Sequence, residues 1–175
     1  MLPDLTNLTL DADRLQLRSI TPDYIDPIFR EFTPEIATYM YPRPASDRSE
    51  TEAFVTAAMQ ENRDGSSLTM VMTLRETGEF LGCAGLHKLT TLRPEFGIWV
   101  KQSAQMHGYG REAIHTLKRW ADQHLNYEYL IYPVDSRNIA SRKLPESFGA
   151  AIISQFDGVS GQGQELTLIK YRIER

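Results

Sequence analysis

One segment constrains the fold more than any other: residues 105–110 form a glycine-containing turn between a strand pattern and a strongly amphipathic helix pattern. Before the turn, apolar and polar residues alternate up to Val100, which predicts a strand. After it, apolar residues recur at every third or fourth position to about Leu125, which predicts a helix packed along one face. A strand, a tight turn and a packed helix predict a layered α/β structure.

The other patterns narrow the architecture. Strands are predicted at 14–18, 68–74, 80–86, 96–100, 129–134, 150–155 and 166–173, and helices at 21–32, 49–62, 110–125 and 138–148, with a short one after residue 33. Three strands follow one another in mid-chain, unlike the regular alternation of doubly wound nucleotide-binding folds. We predict one α/β (α+β) domain over residues 1–175, with a mixed, mostly antiparallel sheet of about seven strands.

Composition excludes several classes of function. The 175 residues carry a net charge of −4 with scattered basic residues, so nucleic-acid binding is not expected. No apolar run has the length of a membrane span, and the first residues lack the basic and apolar regions of a signal peptide. The single cysteine, Cys83, excludes an internal disulfide and fits a reducing compartment. We expect a cytoplasmic protein that does not bind membranes.

The turn has the features of an anion site. Gly108 and Gly110 let the backbone approach a ligand closely, and the free N–H groups of the following helical turn point toward one position. Arg111 in that first turn favours a bound anion. A tight turn that merely needs small residues would give the same pattern. The chain has no P-loop lysine, and Ala113 replaces the last glycine of the dinucleotide-binding motif.

Four segments together carry a family resemblance. They are Arg14-Leu-Gln-Leu-Arg18 followed by Thr21-Pro-Asp23, Glu95-Phe-Gly-Ile-Trp99, Gln105-x-x-Gly108-x-Gly110, and Asn138-x-x-Ser141 followed by Gly149. The third resembles the acetyl-CoA signature of GNAT acetyltransferases, and the others resemble the RimJ/RimL branch, the ribosomal-protein N-terminal acetyltransferases. One position departs from that pattern, because Ala150 stands where the branch has Phe.

The resemblance implies a coenzyme site and a sheet that splays in its middle, with helices on both faces. The strands that contain Val100 and Tyr132 would separate, and the pantetheine arm of acetyl-CoA would pair with the first. A backbone N–H on the first of these strands, near Val100, would stabilise the oxyanion, and Asn138 would bind pantetheine, cap a helix, or do both. The pyrophosphate would be bound by backbone amides of the loop and the first helical turn, namely those of Gln105, His107, Gly108, Tyr109, Gly110, Arg111 and Glu112. The side chain of His107 would also contact a phosphate.

The resemblance also implies candidates for catalysis. Glu95 would accept the amine proton, and its half-apolar cleft predicts a raised pKa, although a solvated strand glutamate fits the pattern equally well. Glu146 is an alternative base that is better explained as a surface charge. Many family members protonate the thiolate with a Tyr at the position of Pro145 here, so Ser141 is the predicted acid, with Tyr132 in reserve.

The sequence leaves three alternatives for the acceptor. It is a protein N-terminal α-amine, or a small amine (polyamine, aminoglycoside or amino acid), or the chain is a non-catalytic acyl-CoA-binding protein that has no acceptor. We expect a peptide N-terminus to enter an open groove between residues 39–44 and 157–164, where few acids are available for a polyamine. Transfer is expected to be direct, with Cys83 buried and no metal. The sequence leaves the oligomeric state open, and the family resemblance makes a homodimer one possibility.

Overall fold

The computed structural model describes residues 2–175, within which the chain forms one sheet of eight strands and four α-helices. In chain order they are β1 (Thr9–Asp11), β2 (Leu15–Ser19), α1 (Ile25–Glu31), α2 (Arg48–Asp64), β3 (Ser67–Leu74), β4 (Phe80–His87), β5 (Glu95–Val100), α3 (Tyr109–His124), β6 (Tyr129–Asp135), α4 (Ile139–Glu146), β7 (Ala151–Val159) and β8 (Glu165–Glu174). Short 3₁₀ turns cover Pro22–Tyr24, Ile36–Tyr39 and Gln102–Ala104.

The sheet has the spatial order β1-β2-β3-β4-β5-β6-β8-β7. Neighbouring strands are antiparallel except β5 and β6, which are parallel. The predicted mixed, mostly antiparallel α/β fold is therefore confirmed. The additional strand is β1, whose three residues are too few for the alternation to be visible in the sequence.

Helices cover both faces of the sheet. On one face, α3 contributes Ile114, Leu117 and Trp120 to a core that also contains Met70 and Leu86 from β3 and β4. The opposite face of the same strands carries a smaller core shared with α1 and α2, which includes the residues Ile28, Val55, Val71, Phe80 and Cys83. Strand alternation thus separates the two layers.

Local chemistry determines the ends of the helices. The Asp47 side chain accepts hydrogen bonds from the N–H groups of Ser49 and Glu50 and caps α2, which ends at Gly65 with a φ of 70°. Thr21 is the N-cap residue of the first 3₁₀ turn, but its side chain makes no capping hydrogen bond. No helix within residues 2–175 is both long and apolar enough to cross a membrane.

Candidate active site

The strands β5 and β6 form a gap in the middle of the sheet. Within residues 2–175 they pair at one position, Glu95 with Ile131, and the N–H of Ile131 donates to the carbonyl of Pro94. Beyond it the strands separate, as the family resemblance implied. The N–H of Lys101 points toward β4, so alternation directs the N–H groups of Ile98 and Val100 into the gap.

The loop before α3 offers a second set of free donors. The N–H groups of residues 106–111 donate to no protein group in the described part of the chain. Met106 and Gly108 both have positive φ angles, 65° and 80°, and Gly108 is the N-cap residue of a 16-residue helix. Consecutive unpaired amides at the positive end of a helix dipole are a site for phosphate oxygens.

Two side chains fix the shape of this loop. The Arg14 guanidinium donates to the carbonyl oxygen of His107 at 2.9 Å and lies over the Tyr109 ring. The Glu112 carboxylate accepts hydrogen bonds from the Arg14 side chain at 2.9 Å and from the Arg14 backbone N–H at 2.6 Å. Arg14 was not predicted as a functional residue, because it lies 98 positions from Glu112.

The predicted role of Glu112 in coenzyme binding is corrected by these contacts. Its N–H donates to the carbonyl of Gly108 at 3.1 Å, and its side chain is bonded to the start of β2. Neither group is free for a ligand, so the free amides end at Arg111. Glu112 instead connects α3 to β2.

The remaining predicted loop residues lie where an anion can reach them. Gln105 donates from its side chain to the carbonyl of Val100 at 3.1 Å, which joins the loop to the end of β5. His107 is exposed and its ring stacks on Tyr109. A Cβ on Gly110 would be 3.6 Å from side-chain atoms of Ile98 and Val100 and 3.7 Å from Leu144, so this glycine packs closely against β5 and α4.

Both predicted residues on α4 lie near the gap. Asn138 is the N-cap, and its side-chain oxygen accepts from the N–H of Ser141 at 3.1 Å, which leaves its NH₂ group available to a ligand. Ser141 lies 2.8 Å from the hydroxyl of Tyr132. Tyr132 packs against Phe96 across the base of the gap, and burial raises the pKa of its phenol, which keeps it protonated.

The predicted raised pKa of Glu95 is wrong. Burial does favour the neutral acid, but the Lys88 ammonium at 2.9 Å and the Lys170 ammonium at 3.3 Å outweigh it and hold the pKa of Glu95 below its usual value. The carboxylate is mostly buried and ionised. Glu146 bonds to the hydroxyl of Tyr171 and pairs with Arg142 on the outside of α4, as expected of a surface charge.

His87 is the residue next to Glu95 that the sequence prediction missed. The two are direct partners across β4 and β5, and the imidazole lies over Gly97, where a Cβ would be 2.9 Å from its Nε2. Within residues 2–175 neither ring nitrogen is hydrogen-bonded, and burial lowers the pKa of His87. The strand predicted from the sequence ended at Leu86, whereas β4 continues to His87. Because the prediction stopped one residue early, it did not place His87 opposite Glu95.

A cavity of about 430 Å³ lies between this face of the sheet and α1 and α2. His87, Gly97 and Trp99 belong to its floor, and its walls are mostly apolar side chains from the helices: Ile28, Phe29, Phe32, Met40 and Phe54. Cys83 also borders the cavity. Burial raises the pKa of the Cys83 thiol, which disfavours the nucleophilic thiolate form.

The two segments expected to border an open acceptor groove contact each other. The N–H of Gly161 donates to the carbonyl of Tyr41 at 2.6 Å, and a Cβ on Gly158 would lie 2.7 Å from the Tyr41 hydroxyl. The expectation of an open groove between them is corrected: the segments are bridged. The turn between β7 and β8 is also shorter than predicted, because β7 continues to Val159.

No group of three or more His, Cys, Asp or Glu side chains in the described residues could hold a metal ion. The arrangement is instead an amide-lined loop and a gap between strands on one side, and an imidazole in an apolar cavity on the other. Such a site can hold a phosphate-containing ligand along β5 and place its end beside a proton acceptor.

Comparison with known proteins agrees with this geometry. A family model described as an acetyltransferase (GNAT) domain matches residues 14–151. Among solved structures, a GCN5-related N-acetyltransferase from Brucella melitensis has a TM-score of 0.81 at 16% identity, over 99% of this chain and 81% of the other. No curated protein sequence matched.

Two structures of acetyltransferases that act on ribosomal protein L7/L12 are also similar. A ribosomal L7/L12 alpha-N-protein acetyltransferase in complex with coenzyme A has a TM-score of 0.85 at 12% identity, over 95% of this chain and 98% of the other. The acetyltransferase from Salmonella typhimurium that modifies the N-terminal serine of ribosomal protein L7/L12 has a TM-score of 0.83 at 11% identity, over 96% and 99%. At these identities the likeness concerns the fold. With the family model matching most of its length, this chain belongs to the GNAT family and is an acyltransferase.

Proposed function

We propose that this protein transfers the acetyl group of acetyl-CoA directly to a primary amine, most specifically the α-amine of a protein N-terminus, as RimJ/RimL enzymes do. The observation that carries the proposal is the row of unpaired amides in residues 106–111 next to the gap between β5 and β6. Structural relatives that acetylate N-terminal amines of ribosomal proteins support the acceptor class.

The chain has groups that fit each part of the coenzyme. The amides of residues 106–111 match a pyrophosphate, and the exposed His107 and Arg111 side chains add donors at the same end. The N–H groups of Ile98 and Val100 suit an extended pantetheine arm, with the Asn138 amide on the opposite side. Acetyl-CoA supplies the acetyl thioester, and a backbone N–H of β5 near Val100 would stabilise negative charge on its carbonyl oxygen.

Removal of the amine proton is assigned to Glu95 and His87 acting as a pair. The neutral imidazole of His87 is the better proton acceptor, because its nitrogens are unbonded and burial lowers its pKa, which keeps the ring neutral and able to accept a proton. Glu95 is already bonded to two lysines, and its negative charge favours the protonated imidazole. We assign protonation of the leaving thiolate to Ser141, whose hydroxyl lies 2.8 Å from that of Tyr132 and which regains its proton from solvent after the transfer.

The charges near the cavity favour an α-amine over a polyamine. Glu95 is bonded to Lys88 and Lys170, and Glu50 to Arg43. Polyamines carry several cations that would need unpaired carboxylates. An N-terminal amine brings a single charge, which is lost before transfer.

The test uses one peptide that contains both an α-amine and a lysine. After incubation with the enzyme and acetyl-CoA, fragment-ion mass spectrometry locates the acetyl group, and spermidine at equal concentration serves as the competing small amine. We expect acetylation of the α-amine, at least tenfold faster than that of spermidine. Acetylation confined to lysine, or faster turnover of spermidine, would refute the acceptor class while the coenzyme site remained.

A further inference from the structure

The cavity under α1 and α2 has the size and lining of a ligand site. Its volume of about 430 Å³ falls within the range of small-molecule pockets, about 300–1,000 Å³. Its floor contains Gly97, Ile98 and Trp99 of β5, the strand that borders the gap. A group in this cavity would therefore lie directly next to the proposed position of the reactive amine.

The edge of the cavity exposes two large aromatic side chains. Phe29 on α1 is 38% exposed and Phe54 on α2 is 46% exposed, and both border the cavity. Deeper in the cavity, the Phe32 and Trp99 rings pack at a centroid distance of 5.1 Å. An apolar cavity that continues into exposed aromatic rings is a surface suited to an apolar ligand.

The charged groups that border the cavity are already neutralised within the protein. The Glu50 carboxylate pairs with Arg43 at 2.9 Å and accepts from the N–H of Ser46 at 3.0 Å. A polar or charged substituent placed here would lose its hydration without gaining an unpaired partner of opposite charge, whereas an apolar substituent would gain from burial.

We propose that the acceptor amine carries a large apolar group within a few bonds of its nitrogen, and that this group occupies the cavity between Phe29, Phe32, Phe54 and Trp99. This inference rests on the proposed amine transfer and narrows its substrate class. The same chemistry could come from a peptide whose first residue is apolar or from a small aromatic amine, so the experiment includes both.

The experiment compares two matched pairs of acceptors. One pair is a peptide that begins with Phe and the same peptide beginning with Ser, and the other is phenylethylamine and ethanolamine. We expect kcat/KM to favour the apolar member of each pair by roughly tenfold to a hundredfold. Equal rates within both pairs, or preference for the polar members, would overturn the inference. The comparison of the peptides with the small amines is separate. If the small amines are acetylated faster than the peptides, only the proposed acceptor class is refuted.

Two variants test the location. Phe54→Ser removes an exposed ring at the cavity edge and should lower the apolar preference at least threefold, whereas Leu92→Ser, at an equally exposed residue outside the cavity, should not change it. An unchanged preference in Phe54→Ser would refute this cavity as the binding site. If no acceptor turns over, Trp99 fluorescence reports binding in a Trp120→Phe background. Failure of the Phe peptide to bind more tightly than the Ser peptide then overturns the inference.

Discussion

The two sides of the active site are built from different parts of the polypeptide. The coenzyme side consists mainly of backbone N–H groups from one continuous stretch, residues 106–111, and from one strand. The acceptor side consists of side chains from α1, α2, β3, β4 and β5, which are far apart in sequence. Backbone donors can recognise a constant ligand such as a pyrophosphate, whereas side chains from several elements can be changed independently to select among amines.

This difference predicts that substitutions on each side affect separate quantities. Changes in the loop should alter the affinity for acetyl-CoA, and changes around His87 should alter proton transfer and acceptor turnover. Four variants, each paired with a second variant for comparison, test the separation, from the largest expected effect to the smallest.

His87→Gln should produce the largest effect, because it removes the proton acceptor. We expect kcat to fall by roughly a hundredfold near neutral pH, with little change in acetyl-CoA affinity. Since only the neutral imidazole accepts a proton and its pKa is lowered, wild-type kcat should fall as the pH decreases through a value below 6.5. The variant should lack this decline.

Glu95→Gln is the matched comparison for that result. If Glu95 acts through His87, kcat should fall by roughly tenfold and the acidic limb should move to lower pH, because the imidazolium loses a favourable charge. A larger loss for Glu95→Gln than for His87→Gln, with the acidic limb retained in the His87 variant, would make Glu95 the base itself.

Gly110→Leu tests the coenzyme side. Its side chain would occupy the space toward Ile98, Val100 and Leu144, and we expect the Kd of acetyl-CoA to rise roughly tenfold to a hundredfold. Gly110→Ala is the control, because a Cβ has ordinary contact distances there and alanine favours the helix. Calorimetric titration measures the Kd of both variants. Equal Kd values for Gly110→Leu and the wild-type protein would mean that Gly110 is not part of the coenzyme site.

Ser141→Ala should lower kcat by roughly tenfold, because the thiolate would then leave without a proton donor. Acetyl-CoA affinity should change little. Tyr132→Phe, which interrupts the hydrogen bond to Ser141, should show a smaller loss in the same direction. Steady-state kinetics with a fixed acceptor measures both variants. Full activity in Ser141→Ala would mean that solvent, and not Ser141, protonates the leaving thiolate.

Arg14→Ala is expected to have the smallest effect. It removes the bonds to His107 and Glu112 but leaves the amides themselves, so acetyl-CoA affinity should fall only severalfold. Gln16→Ala, two residues further along the chain in β2, is the matched control, because its side chain bonds to Asp11 on β1, and it should not change the affinity. An effect as large as that of Gly110→Leu would mean that Arg14 contacts the coenzyme directly.

The same difference explains what could be predicted from the sequence. The loop and α3 were placed to within about one residue, because glycines, helix periodicity and a free helix end are local properties. The family motifs, which are also local, led to the correct fold. The three-residue strand β1 was missed because so short a pattern carries no periodicity.

The acceptor side could not be predicted in the same way, because its properties depend on contacts between distant residues. The lowered pKa of Glu95 follows from its ion pairs with Lys88 and with Lys170, of which the second lies 75 positions away, and the bridge between Tyr41 and Gly161 joins two segments with no common pattern. His87 gains its importance from its neighbour on β5 and from the cavity above it. None of these contacts is encoded within a short stretch of sequence.

The central claim is that backbone amides of the loop bind the coenzyme while the cavity is reserved for the acceptor. Titration of the ¹⁵N-labelled protein with coenzyme A tests it most directly, with amide chemical shifts followed residue by residue. We expect the largest shifts at residues 106–111 and at Ile98 and Val100, with small shifts at Phe29 and Phe54. Large shifts in the cavity, with an unperturbed loop, would contradict the account.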